Sequence, residues 1–66
     1  MIFIKIELNQ LIFDSLLELS KKDKYAIKDF GYEKLVDKGY IHNGQQYIGA
    51  SLKEIDGKCY IICRIK

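Results

Sequence analysis

Proline and tryptophan are missing from this chain of 66 residues, and histidine, methionine and arginine occur once each. With two cysteines and no proline, there is no framework for a disulfide-stapled secreted scaffold, which uses a denser set. No apolar run approaches the ~20 residues of a membrane-crossing helix. Lys5 and Glu7 interrupt the apolar start at Met1–Leu8, and no small-residue cleavage site follows, so no signal peptide is read. The cytoplasm is the expected location. The serines Ser15, Ser20 and Ser51 have no His/Asp pattern around them, which leaves an acyl-transfer triad unsupported. The five glycines fall in no phosphate-loop spacing. No cofactor and no metal are expected.

What is present is 48% hydrophobic and 30% charged, the balance of a globular chain rather than a disordered one. Its length makes it one small domain. A domain of about 60 residues buries only about 60% of the surface its unfolded chain exposes, so a partner, a second copy or another staple is commonly needed. The core has to come from Ile, Leu, Phe and Tyr. Net charge is +2, from 11 Lys and Arg against 9 Asp and Glu, weak support for nucleic-acid binding. The charge is uneven, however. From Gln45 onward Lys53, Lys58, Arg64 and Lys66 face only Glu54 and Asp56.

Ile2, Ile4, Ile6 and Leu8 alternate with Phe3, Lys5 and Glu7, which predicts a strand. Asn9 is placed to cap a helix whose apolar residues Ile12, Phe13, Leu16, Leu17 and Leu19 share a face. Asp23 is read as the cap of a second helix with Ala26, Ile27, Phe30, Leu35 and Val36 as its buried stripe. Gly31 inside that stripe costs about 1 kcal/mol relative to Ala and marks a kink or a break. Gly39, just after Lys38, is expected in the left-handed conformation that ends a helix.

Tyr47–Ile55 and Lys58–Ile65 flank Asp56-Gly57, the strongest short-range hairpin signal. A two-residue loop pairs Ile55 with Lys58. Counting outward puts Leu52, Ala50 and Ile48 opposite Ile61, Cys63 and Ile65 on an apolar face. The other face then carries Lys53, Ser51 and Gly49 opposite Tyr60, Ile62 and Arg64. The expected fold is α+β in the order β-α-(α)-β-β, a three-stranded, mainly antiparallel sheet with helices on one face.

Cys59 and Cys63 fall on the apolar face, roughly 13 Å apart along a strand at about 3.3 Å per residue. That is too far for an intrachain disulfide, and a zinc site has only His42 to add. Both are read as small core hydrophobes. The exposed trio Lys53, Tyr60 and Arg64, with Lys58 beyond the turn, is the candidate binding surface. An aromatic between cations on an open sheet face suits RNA by stacking and phosphate pairing. It equally suits a protein partner, since Tyr and Arg are enriched at interface hot spots.

Two family resemblances follow. The helical pair LSKKDKYAIKDFGYEKLVDKGY followed by the hairpin SLKEIDGKCYIICRI resembles the RelE/ParE toxin superfamily, whose sheet often contains Gly-x-Tyr-Arg-Ile-Ile-Tyr-x-Ile. Gly57–Ile65 follows that apolar rhythm, with Tyr60 where the family has arginine and Cys59 and Cys63 where it has tyrosine. The resemblance implies a toxin acting on RNA or on a protein target. Lys53, Lys58 and Arg64 would then stabilise developing charge, and His42 alone is placed for proton transfer. EKLVDKGYI followed by a hairpin resembles a winged-helix recognition helix and wing, which implies duplex DNA. The reading that needs no family is a small non-catalytic interaction protein. It would be an inhibitor or regulator of the kind mobile elements direct at another protein, with a protein partner or a second copy pairing a free sheet edge.

Overall fold

The computed structural model describes residues Met1–Lys66, in the expected element order: β1 (Ile2–Leu8), α1 (Gln10–Ser20), α2 (Ala26–Lys38), β2 (Tyr47–Ile55) and β3 (Lys58–Ile65). Asn9 caps α1 from an extended backbone, its side chain accepting the N–H of Ile12 at 2.8 Å. Asp23 does not cap α2. Its carboxylate accepts the N–H of Tyr25 at 2.9 Å, and α2 starts at Ala26 without a side-chain cap. A short acidic side chain closes onto the main chain two residues ahead, so Asp23 shapes the turn between the helices instead.

Gly31 neither kinks nor breaks α2, which runs unbroken across it. A Cβ there would lie 2.6 Å from Tyr47 Oη, 2.8 Å from Ala50 Cβ and 3.2 Å from Cys63 Sγ. The glycine is where the helix comes closest to the sheet, and burial against the strands outweighs its poor helix propensity. At the far end Gly39 takes φ 69°, with Tyr40 N–H donating to the Leu35 carbonyl at 2.9 Å and Gly39 N–H to that of Val36 at 3.1 Å. These are the paired bonds of a Schellman ending.

The sheet order is β1-β3-β2, antiparallel throughout, so β3 is central. Asp56 (φ 51°) and Gly57 (φ 78°) are both left-handed, as a type I′ hairpin turn requires. The register holds as counted from Ile55/Lys58 to Gly49/Arg64. It then shifts: Tyr47, not Ile48, stands opposite Ile65, and Ile48 is the extra residue of a bulge. The shift turns Tyr47 toward the helical layer, where its hydroxyl reaches the Lys28 carbonyl at 2.6 Å.

Odd-numbered residues of β3 form the centre of the core. Cys59, Ile61, Cys63 and Ile65 pack with Ile6 and Leu8 of β1, Phe13 and Leu16 of α1, and Leu35 of α2. Leu17, Leu19 and Val36, expected in the buried stripes, face outward at 41%, 50% and 51% exposure. Leu17 and Leu19 lie on opposite flanks of the Phe13–Leu16 line, beyond the arc that one helix turns toward a sheet. No helix is long and apolar enough to cross a membrane.

Candidate functional site

Both helices lie on one side of the sheet, so the other side has no second layer. Alternation puts the even residues of β3 on that open face, and the ladders set their neighbours. Arg64 lies between Phe3 and Gly49, Ile62 between Lys5 and Ser51, and Tyr60 between Glu7 and Lys53. Lys58 follows beside Ile55 at the turn end. The four residues singled out in the sequence, Lys53, Tyr60, Arg64 and Lys58, therefore share one surface.

Two contacts give that surface a defined shape. The Lys5 ammonium lies 4.8 Å from the centre of the Tyr60 ring, a cation–π contact across the strands. Arg64 donates from Nη1 to Ser51 Oγ at 2.9 Å. Its Nη2 lies over Gly49, where a Cβ would approach to 2.8 Å. The missing side chain leaves room for the guanidinium over the sheet. Lys5, Lys53, Lys58 and Arg64 stand against one carboxylate, Glu7, so the face is more positive than the chain's net +2.

Reading the hairpin alone missed Phe3, Lys5, Glu7 and Ile62 as members of this face. The hairpin alone does not say which strand flanks β3 on its other side; the structure places β1 there, with β3 in the centre. That placement brings the Phe3-Lys5-Glu7 side of β1 beside Tyr60 and Arg64.

His42 lies elsewhere, in a cleft of about 340 Å³ between α2 and the loop before β2, with Tyr32, Val36, Ile41 and Tyr47. Its main-chain N–H donates to Gln45 Oε1 at 2.8 Å, an internal bond of the loop. Tyr47 packs on Tyr32 at 5.4 Å between ring centres. Burial first, then the nearby Cys63 and Asp29, raises the Tyr47 phenol from 10.0 to about 12 against the opposing pull of Arg64. The larger concavity, about 470 Å³, is a shallow depression on the solvent side of α1 among Asp14, Ser15, Glu18, Leu19 and Lys22. It draws residues from a single helix and its flank, and nothing converges there.

The cysteines are free and buried. Cys63 Sγ donates to the Gly31 carbonyl at 3.7 Å, and Cys59 Sγ to Gln10 Oε1 at 3.3 Å. Burial raises the pKa of both thiols; Glu54, Asp14 and Glu7 raise Cys59 further, while Arg64 works against the rise at Cys63. Neutral, enclosed thiols are poor nucleophiles, and these two act as core residues. No three His, Cys, Asp or Glu side chains converge as metal ligands would. No protein-family model, curated protein or solved structure matches the chain.

Proposed function

We propose that this chain is a non-catalytic interaction protein, an inhibitor or regulator that holds a protein partner on the open face of its sheet. One observation supports this most directly: Tyr60 sits mid-sheet between Glu7 and Lys53 beneath the Lys5 ammonium, and Arg64 lies over Gly49 nearby with a hydrogen bond to Ser51. Tyr and Arg held in place before contact lose little side-chain freedom on binding, which favours them as anchors. The complementary partner surface is apolar at its centre and rimmed by carboxylates. A small lysine-rich domain that blocks another protein, as mobile elements deploy against host or rival proteins, fits this chemistry.

The test is capture from the native host by the intact chain, by Tyr60→Ala and Arg64→Ala, and by Leu11→Ala on the far side of α1. The expected result is a stoichiometric partner retained by the intact chain and Leu11→Ala. Each face variant should lose roughly thirtyfold in affinity or more, the scale of a hot-spot residue. Failure of the intact chain to retain any partner overturns the proposal.

The excess of cations on the face favours a second reading, a RelE/ParE-like toxin acting on RNA or a protein target. It requires that expression arrest growth and that Lys53→Ala with Arg64→Ala relieve the arrest. Harmless expression removes it. A duplex-binding role has less support. The α2 segment carries three lysines balanced by three carboxylates and turns Ala26, Gly31 and Leu35 into the sheet, so it offers a DNA groove no excess of positive charge.

A further inference from the structure

The sheet ends in two free edges, and they differ. The β2 edge is interrupted by the bulge at Ile48, and Lys53 and Glu54 stand on it. Bulges and charges are the usual devices that keep an edge from pairing. The β1 edge has no bulge, since Ile2 to Leu8 pair with β3 in unbroken register. It has no proline, and Ile2 and Phe3 are 48% and 64% exposed on its opposite faces. Its only charges are Lys5 and Glu7, and neither forms an ion pair, because the one salt bridge in the chain joins Lys21 to Glu18.

We propose that the β1 edge is the site where a second copy of this chain pairs, antiparallel and two-fold symmetric, with Ile6 opposite Ile6 of the other copy. Charge selects this register. With Ile6 on the axis, Lys5 of each copy stands opposite Glu7 of the other, two opposite-charge pairs on the open face. Ile4 meets Leu8 of the other copy on the helical face in the same register. Moving the axis to Lys5 would set lysine against lysine and Phe3 against glutamate. Moving it to Ile4 would set Lys5 against Phe3 and Glu7 against Met1, so neither charged side chain would meet the other. Opposite charges directly across an antiparallel ladder stabilise it and like charges weaken it. In a two-fold contact each off-axis pair, such as Lys5 with Glu7, occurs twice. The product is one continuous sheet of three strands from each copy, with all helices on one side. The two open faces join across the axis into a single basic surface, with β2 and its bulge at each outer end.

The test is a charge exchange read by sedimentation equilibrium, with circular dichroism to establish that each exposed-site variant is folded. The intact chain is expected to dimerise. Lys5→Glu sets two glutamate pairs across the axis and Glu7→Lys sets two lysine pairs, so each variant alone should dissociate about tenfold more readily or worse. Mixing the two single variants restores both opposite-charge pairs and should give a mixed dimer. The double variant Lys5→Glu/Glu7→Lys should regain self-association. Three outcomes overturn the proposal: a chain that stays monomeric at all concentrations, a dimer indifferent to these exchanges, and a monomer that pairs its β1 edge only with a strand of a different protein.

Discussion

Tyr47 donates its phenol to the main-chain carbonyl of Lys28, nineteen residues earlier, across the contact between β2 and α2 at 2.6 Å. The bond needs the proton. The folded chain holds it to about 12, against 10.0 for the ordinary phenol. Between those values the folded state binds more protons than the unfolded state, so stability falls with rising pH in that window. The contribution of this phenol is fully present below pH 10 and drains as pH climbs toward 12. In an alkaline titration followed by tyrosinate absorbance and circular dichroism, an ionisation step near pH 12 should accompany loss of structure. Tyr47→Phe should remove that step. A fold that stays intact through pH 12, with the step unchanged in Tyr47→Phe, would contradict the account.

Two glycines make a matched pair of opposites. A Cβ at Gly31 would meet Tyr47, Ala50 and Cys63 inside the contact between helix and sheet, whereas one at Gly49 would meet only the far end of the Arg64 side chain. Gly31→Ala gains about 1 kcal/mol of helix propensity and loses about 1–3 kcal/mol to overpacking. It should therefore melt lower than the intact chain despite the better helix former. Gly49→Ala has to shift only the end of the Arg64 side chain and stiffens the unfolded chain, so it should be neutral or stabilising by up to about 1 kcal/mol. Thermal unfolding of the two variants side by side checks the contrast.

The Asn9 cap is open to a plain deletion. Asn9→Ala leaves the Ile12 N–H without its side-chain acceptor and should cost about 1 kcal/mol. In a domain this small that corresponds to a melting point lower by roughly 4–8 °C. Asn9→Ser should recover most of it, and equal melting points for Ala and Ser would show that the cap contributes nothing.

The cysteines report on opening. Cys59 is 3% exposed and Cys63 fully enclosed, and burial keeps both thiols protonated. Labelling by a thiol reagent at neutral pH should be slow in the folded protein and fast in denaturant, with the folded-state rate tracking global stability. Destabilising Gly31→Ala should accelerate labelling at both sites. Immediate labelling of the intact chain would mean that this face of β3 is not held shut.

The hairpin was legible because two independent constraints agree on it. Asp56-Gly57 fixes the loop, and the alternation in Lys58–Ile65 tolerates only the register that turns Cys59, Ile61, Cys63 and Ile65 inward. The capping asparagine and the terminal glycine at position 39 were legible for a similar reason, since each acts through its nearest neighbours. The bulge at Ile48 was not. It goes with a contact from Tyr47 to a helix carbonyl that is adjacent only in three dimensions, and Gly49 was the one local hint. Gly31 misled in the same way: by propensity it breaks a helix, by contact it is the residue that lets the helix touch the sheet. The open face was half legible, because Lys53, Tyr60, Arg64 and Lys58 follow from the hairpin while Phe3 and Lys5 enter only once β1 is known to border β3.

The central place of β3 also sets the order in which the sheet can be assembled. β1 emerges first during synthesis, yet its sole neighbour in the sheet is the strand made last, with Leu8 meeting Cys59 and Ile2 meeting Ile65. The hairpin closes locally and quickly, whereas the β1 ladder has to close almost the whole chain into one loop, the kind of non-local pairing that slows folding. Until that happens Ile2, Phe3, Ile4 and Ile6 form an unpaired apolar strand on a nascent chain.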